Sequence, residues 1–437
     1  MVQLRWARPQ RLLELLMLLP ALLASIRGYH YTLQLGPGSW QATDWYVRFG
    51  FGLVRRGVFG DLLHAVASHF QPFSINGFAY VLTLVAIWGV SLFLVSRTRQ
   101  ASPLTRLVLA WSPVFYPTFY LWDPQAGGRK DVLSLLFLVA FLLADSLSSR
   151  LQAFARQLLV CVVLPIFVLS HEAVFFFCMP FVLFWQLFVA SGLDWVGRFG
   201  WLQCRALLKS LLPCVPAGLA LALAFFYARP SVAQVVDICQ SWTSIEPSLS
   251  CARLPAALEA LAGLEASAVN GSTYFQRIVH AYAQGEIVDK WIGMFVFGLI
   301  FLLFGVVPAI RRARPKRVFS LGQCALSLLV LAGVVFAFNL PLYLLALDYG
   351  RWASVSLTLL LLFAVGDARA LSSCAALCSG SMGAAWFVPG RDWIVRAMQV
   401  ALLVVAWRYS LHHCCLEFWL EDPLPNRVSV LVPQLFQ

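Results

Sequence analysis

What narrows this chain most is its succession of apolar runs, broken only by short segments in which nearly all the charge is gathered. About 20 apolar residues are what a helix needs to cross a hydrocarbon core ~30 Å thick at ~1.5 Å per residue. Of 437 residues, 60% are hydrophobic and 12% charged, with a mean hydropathy of +0.78. That excludes a soluble globule and leaves no separate soluble domain. Residues 1–437 therefore read as one all-α integral membrane domain, a polytopic transmembrane helical bundle. Lys and Arg number 32 against 20 Asp and Glu, a net charge of +12, and all but four of the basic residues are Arg. In a membrane chain such an excess speaks of topology and lipid contact before nucleic acid.

Arg5, Arg8 and Arg11, ahead of the run 12–26, place the N-terminus in the cytoplasm. No clean small-residue cleavage site follows, which argues against a removed signal peptide. Spans near 75–95, 107–122 and 132–147 alternate so that Arg97, Arg99, Arg106, Arg150 and Arg156 fall inside. The run 157–190 is too long for one crossing and reads as a hairpin with His171-Glu172 at its outer tip. Spans near 208–228, 291–310, 320–339, 353–366 and 393–410 complete about eleven, or twelve if the Ser-, Gly- and Ala-rich stretch 370–389 also crosses. The C-terminus is then external. Arg311, Arg312, Arg314, Lys316 and Arg317 anchor a cytoplasmic loop, and Leu340-Pro341 predicts a broken helix dipping into the outer leaflet. Two long external loops follow from this topology, 28–74 and 229–290. In the second, Leu254, Leu258, Leu261 and Leu264 recur at helical spacing, predicting a short amphipathic helix that caps the membrane face.

The first external loop carries the densest chemistry, from Asp44 to Asp61. As a helix at ~100° per residue it would bring Asp44, Arg48 and Arg55 within about 40° of one another. Its glycines argue instead for close backbone approach or a re-entrant shape. The simplest reading is an interfacial helix whose arginines hold lipid phosphates. Yet Arg48, Arg55, Arg56, Arg129, Lys130 and Arg351 all lie in external loops, against the positive-inside trend, and an anionic ligand would compensate them.

Three further constellations share that outer face. His171-Glu172 sits between very apolar runs, where ionisable groups are expensive, and reads as a base with its orienter. Asp348 and Arg351, three apart, either neutralise each other at a span entrance or serve a site. Gly127-Gly128-Arg129-Lys130-Asp131 resembles an anion cradle at a helix N-terminus. Cys239 and Cys251 share the second external loop and are disulfide candidates if that side is oxidising. Cys161, Cys178, Cys204, Cys214 and Cys324 read as small apolar residues of the spans. Cys374 and Cys378 have no histidine nearby to complete a zinc site, and the adjacent residues of His412-His413-Cys414-Cys415 rarely point at one ion, so no metal and no cofactor are expected. Asn270-Gly271-Ser272 is an external glycosylation sequon. A phosphate-binding Gly-x-x-x-x-Gly-Lys loop and an Asp-x-Asp pair for a metal-bound nucleotide sugar are both absent.

An acidic residue in the first long external loop, a large later external loop, about eleven spans and external arginines in place of a metal resemble the GT-C multispanning glycosyltransferases and, less closely, bacterial polysaccharide polymerases. That resemblance implies a polyprenyl-phosphate or -diphosphate sugar donor entering from the bilayer and transfer to a glycan or lipid acceptor outside a bacterial plasma membrane. It implies Asp44 as the base, with Glu172, His171 or Asp348 as alternatives. Arg55, Arg56 and Arg129 or Arg351 would hold the phosphate, and Trp40, Trp45 and Tyr46 would offer faces to sugar or prenyl chain. A secondary transporter or lipid flippase, with charge at both faces, and a non-catalytic assembly subunit remain as rivals.

Overall fold

The computed structural model describes residues 3–36, 39, 41–51, 56–70, 73–190, 205, 208–226, 232–249, 251, 286–313, 321–345, 349–367 and 392–408. All regular structure among them is helical. In chain order the helices are α1 (Gln3–Gln34), α2 (Thr43–Tyr46), α3 (Val58–His69), α4 (Ile75–Arg97), α5 (Pro103–Ala110), α6 (Tyr116–Trp122), α7 (Val132–Leu143), α8 (Ser149–Leu158), α9 (Leu164–Ser170) and α10 (Ala173–Trp185). There follow α11 (Val215–Phe226), α12 (Val232–Thr243), α13 (Glu286–Ala313), α14 (Leu321–Leu345), α15 (Tyr349–Gly366) and α16 (Asp392–Arg408).

Among the described residues, five helical stretches are long and apolar enough to cross a membrane: Pro9–Gln34, Ile75–Arg97, Ser149–Ser170, Leu208–Phe226 and Cys324–Leu342. Shorter apolar helices cover Val132–Ser146, Ala173–Val189, Phe295–Ala309, Gly350–Gly366 and Trp393–Ala406. Half of the most apolar window of α4 is buried, against 28% of that of α1. α4 is thus an inner helix, while Leu12, Leu15, Leu22 and Leu33 of α1 face outward. α1 packs on α4 and α6, α7 on α4 and α15, α13 on α5 and α15, and α10 on α14.

Four expectations change. α1 runs on to Gln34, so the first connecting segment begins at Leu35 rather than at 28. The span expected over 107–122 is two short helices, α5 and α6, with a non-helical stretch around Pro113. Its freed backbone groups are met from α15: Thr358 Oγ1 donates to Val114 O (3.0 Å) and accepts from Tyr116 N (2.8 Å), and Ser354 Oγ donates to Val114 O (3.1 Å). Irregular backbone at such depth is tolerated only where protein satisfies it in this way. Conversely, Pro341 does not end its helix: α14 runs through it from Leu321 to Leu345. Finally, the helical face proposed for Asp44, Arg48 and Arg55 does not form, because α2 ends at Tyr46 and Val47 is extended. The expected cap helix around Leu254–Leu264, the stretch 370–389, Asn270, Cys374, Cys378 and His412–Cys415 lie outside the described residues.

Charge divides between the two ends of the bundle. At one end Glu14 lies 3.9 Å from both Arg99 and Arg106, and Asp145 lies 2.8 Å from Arg156, whose guanidinium covers the Trp185 ring at 4.1 Å. At the other end, where α1 and α6 finish and α4, α7, α10 and α15 begin, lies the cluster described below. If the arginine-lined end is cytoplasmic, a cysteine at exposed position 69 is expected to react with an impermeant maleimide added outside intact cells, whereas cysteines at exposed positions 99 and 150 are not. Labelling of 99 from outside would reverse the assignment.

Candidate functional site

The one-turn helix α2 presents Asp44 inward between Trp45 and Thr43, and all of its residues are buried. Trp45 fixes it: the indole N–H donates to Gly128 O (2.6 Å), and the ring sits edge-on to Phe59 and Phe78. Twelve residues on, Arg56 has φ 72°, the sole non-glycine residue with positive φ among those described. Such backbone costs roughly 1–3 kcal/mol and persists only where the surroundings hold it, most often at functional sites. Here Lys130 Nζ donates to Arg56 O (2.8 Å), and Gly60 at the start of α3 leaves no room for a Cβ, which would fall 1.8 Å from Val47 O. The loop from α2 to α3 is thereby pinned on both sides.

The Arg56 guanidinium forks onto Glu172, with Nε 3.0 Å from Oε2 and Nη2 2.5 Å from Oε1, while Nη1 donates to Asp44 Oδ1 at 2.9 Å. Arg129 Nη2 approaches the other Asp44 oxygen at 3.4 Å. Glu172 adjoins His171, whose Nε2 lies 2.8 Å from Asp131 Oδ1, and Arg351 Nε lies 2.8 Å from Asp131 Oδ2. One chain of charges, Arg129, Asp44, Arg56, Glu172, His171, Asp131, Arg351, therefore joins four separate segments, and every member is at most 9% exposed.

Electrostatics set the protonation. Burial alone would raise the Asp44 carboxyl, but Arg129 and Arg56 outweigh it and hold the group far below the usual carboxylate range. Burial likewise works against the charge on Arg56, and Glu172 and Asp44 overcome it and raise its pKa. Asp131 is brought down to about 2, the guanidinium of Arg351 and the His171 ring prevailing over burial. Lys130 goes the other way. Burial pushes its ammonium down to about 7, with Asp44 opposing only in part. It is fully buried, lies 5.4 Å over the Trp45 ring, and has no carboxylate partner among the described residues.

With Lys130 at about 7 in the fold and 10.5 in a free chain, the unfolded chain holds an extra proton between those values. Stability is therefore expected to rise with pH through that window and to stay flat, in this respect, below it. Lys130→Met should remove the rise, as read by thermal melts in detergent on either side of about pH 7. An equal rise in the Lys130→Met protein would assign it elsewhere.

The chain matches no family model, and neither a curated protein nor a solved structure matches it. Its site must be read from its own residues.

Of the residues singled out from sequence, Asp44, Arg56, Arg129, Lys130, His171, Glu172 and Arg351 come together. Arg48 does not. It pairs with Asp61 (3.1 Å), which also accepts from Phe49 N (2.7 Å), and so ties the loop back on itself. Arg55, Asp348 and Trp40 lie outside the described residues. Trp45 and Tyr46 are buried scaffold and present no open face.

Two acids with no role assigned from sequence matter structurally. Asp131 joins His171 to Arg351, and its place in Gly127-Gly128-Arg129-Lys130-Asp131 was the available signal. Glu246 accepts from the Tyr46 hydroxyl and from Ile75 N (3.0 Å), while Trp242 Nε1 donates to Tyr46 O (2.8 Å). The segment bearing both is closed by a Cys239–Cys251 disulfide. No periodicity marks Glu246 in the sequence. This clamp holds α2 from above, so Cys239→Ser with Cys251→Ser should lower stability by ~2–4 kcal/mol. A melting temperature equal to wild type would show that the clamp carries no strain-bearing load.

Chemically, the cluster offers an anion site and a base. Asp131 stays ionised and can only accept, so His171 Nε2 carries the proton of that bond, and in the neutral ring Nδ1 keeps its lone pair. Nδ1 is buried without a hydrogen-bond partner among the described residues, 4.0 Å from Glu172 Oε2. An imidazolium formed there would lie between two carboxylates. Asp44, held by two guanidiniums, is by contrast a very weak base.

Proposed function

We propose that this chain is an integral membrane glycosyltransferase that moves a sugar from a polyprenyl-phosphate or -diphosphate donor at the extracytoplasmic face. The observation that carries this reading is the buried cluster itself: three carboxylates balanced by Arg56, Arg129 and Arg351, with Lys130 in addition and in no ion pair among the described residues. Buried ion networks are poor stabilisers, and in a membrane domain they are maintained chiefly for function. An excess of buried cation at the bundle end fits a phosphate arriving from the bilayer.

In this reading the acceptor hydroxyl oxygen attacks the anomeric carbon as the bond from that carbon to the phosphate oxygen breaks. The phosphate leaves with the electron pair, and Lys130 with the Arg56 and Arg129 guanidiniums stabilises its growing charge without a metal. The hydroxyl proton passes to His171 Nδ1, and Asp131 and Glu172 steady the resulting imidazolium. Asp44 positions the two guanidiniums.

The test is transfer of radiolabelled sugar from a panel of polyprenyl-phosphate and -diphosphate sugars in proteoliposomes. Transfer that needs His171 and Lys130 is expected. Absence of transfer from every donor, by protein that is folded and correctly inserted, would refute the proposal.

A further inference from the structure

The opposite end of the bundle, where Glu14 lies, holds charge that the proposed mechanism does not use. α4 closes at Thr98, whose hydroxyl donates to Leu94 O (2.7 Å), and α5 opens behind Pro103 with Ser102 Oγ accepting from Thr105 N (3.2 Å). Only residues 98–102 separate the two helices, and this tight corner sets Arg99 and Arg106 together against α1.

The charges at the corner do not balance. Glu14 Oε1 lies 3.9 Å from Arg99 Nε and 3.9 Å from Arg106 Nη2, so two guanidiniums share one carboxylate oxygen. At that distance neither contact is a hydrogen bond. Arg106 is only 2% exposed, and its Nε is spent on the Met17 thioether (3.2 Å), a weak acceptor. Its Nη2 is buried with no hydrogen-bond partner among the described residues. Arg97, at the end of α4, is in no ion pair among the described residues and lies over the Phe93 ring at 5.2 Å. Arg99 is the group that faces outward, with 63% of its side chain exposed. Such an arrangement leaves positive charge without a counterion at the edge of the membrane, and a buried guanidinium with an unused donor behind it.

The surface leading to Arg99 is apolar and straight. Val81, Val85 and Leu92 of α4 are all exposed, and on a helix at ~100° per residue they and position 99 fall within about 40° of one another. Leu15 and Leu22 of α1, the helix packed beside α4, are exposed as well. A soluble anion would find the charge and leave this track unused. A zwitterionic phospholipid would fill the track but bring a cation of its own to the arginines. An anionic phospholipid satisfies both, its phosphate at the guanidiniums and its acyl chain along the helix.

We infer that the corner between α4 and α5 is a binding site for an anionic phospholipid of the leaflet at that end, with Arg99 in contact with the phosphate and Arg106 supporting it from behind. The site stands apart from the transferase reading and does not depend on it.

The experiment is native mass spectrometry of the full-length protein released from a neutral detergent, titrated with dioleoylphosphatidylglycerol, with dioleoylphosphatidylcholine and with inorganic phosphate. Phosphatidylglycerol is expected to bind more tightly than phosphatidylcholine, and inorganic phosphate not to bind measurably. Arg99→Gln, at an exposed position, should weaken phosphatidylglycerol about fivefold. Glu14→Gln should tighten it severalfold, because it removes the carboxylate that competes with the lipid for both guanidiniums; a merely structural ion pair would give no such gain. Arg150→Gln, at another exposed arginine of the same end, should change nothing. Equal melting temperatures confirm that the variants are folded, and a misfolded Glu14→Gln leaves Arg99→Gln against Arg150→Gln to decide. Equal affinity for the two lipids, equal effects of Arg99→Gln and Arg150→Gln, or weaker binding by a folded Glu14→Gln overturns the site. Inorganic phosphate bound as tightly as phosphatidylglycerol would make it a site for an adventitious ion only, and overturns it too.

Discussion

His171→Gln is expected to lower sugar transfer by roughly two to four orders of magnitude while leaving donor binding near wild type. The substitution keeps a polar side chain of similar reach but removes the lone pair that takes the proton. Asp131 then loses one of its two described partners and keeps Arg351, so the fold should survive. The discriminating readout is the pH profile: the limb set by the base should disappear from kcat in the variant. A variant with the wild-type profile and rate would show that His171 is only a strut between Glu172 and Asp131. In that event the proton must go elsewhere, and Asp44, bound to two guanidiniums, is the poorest of the remaining candidates.

Arg56→Ala should have the largest effect on the fold. It takes the forked guanidinium from Glu172 and one of the two guanidiniums that hold Asp44, both carboxylates being buried. Breaking a buried pair from one side costs ~3–5 kcal/mol, because the uncompensated charge stays behind. Expression in the membrane, or the melting temperature in detergent, should fall accordingly. Arg56→Lys should rescue little, since an ammonium cannot fork onto Glu172 and reach Asp44 together. Arg56→Ala with Glu172→Gln should recover part of the lost stability, because it removes the buried charge that has lost its guanidinium. No recovery in the double variant would mean that the cost lies in the positive-φ backbone at Arg56 and not in the pair.

How much of this could be read from the sequence differs from residue to residue, for physical reasons. That Asp44, Arg129, Lys130, His171, Glu172 and Arg351 would share one end of a helical bundle followed from the price of placing charge beside apolar runs and from the alternation of spans. Which cation meets which carboxylate did not follow. Arg48 and Arg56 look equivalent along the chain, yet a four-residue helix ending at Tyr46 sends one to Asp61 and the other to Asp44. Pro341 looked like a break and Leu107–Trp122 like a span, and the outcome is reversed in both. The deciding groups, Ser354 and Thr358, lie more than two hundred residues from the backbone they satisfy. Glu246 and its clamp on Tyr46 are tertiary in the same sense, and no local pattern announces them.

The most direct measurement is of the lipid-linked sugars extracted from cells that lack this gene, compared with cells restored by the wild type or by His171→Gln. If the buried cluster consumes a polyprenyl-linked donor, that donor should accumulate in the deletion, disappear with the wild type, and accumulate again with His171→Gln although the protein is present in the membrane. A pool of polyprenyl-linked sugars identical in all three strains would contradict it.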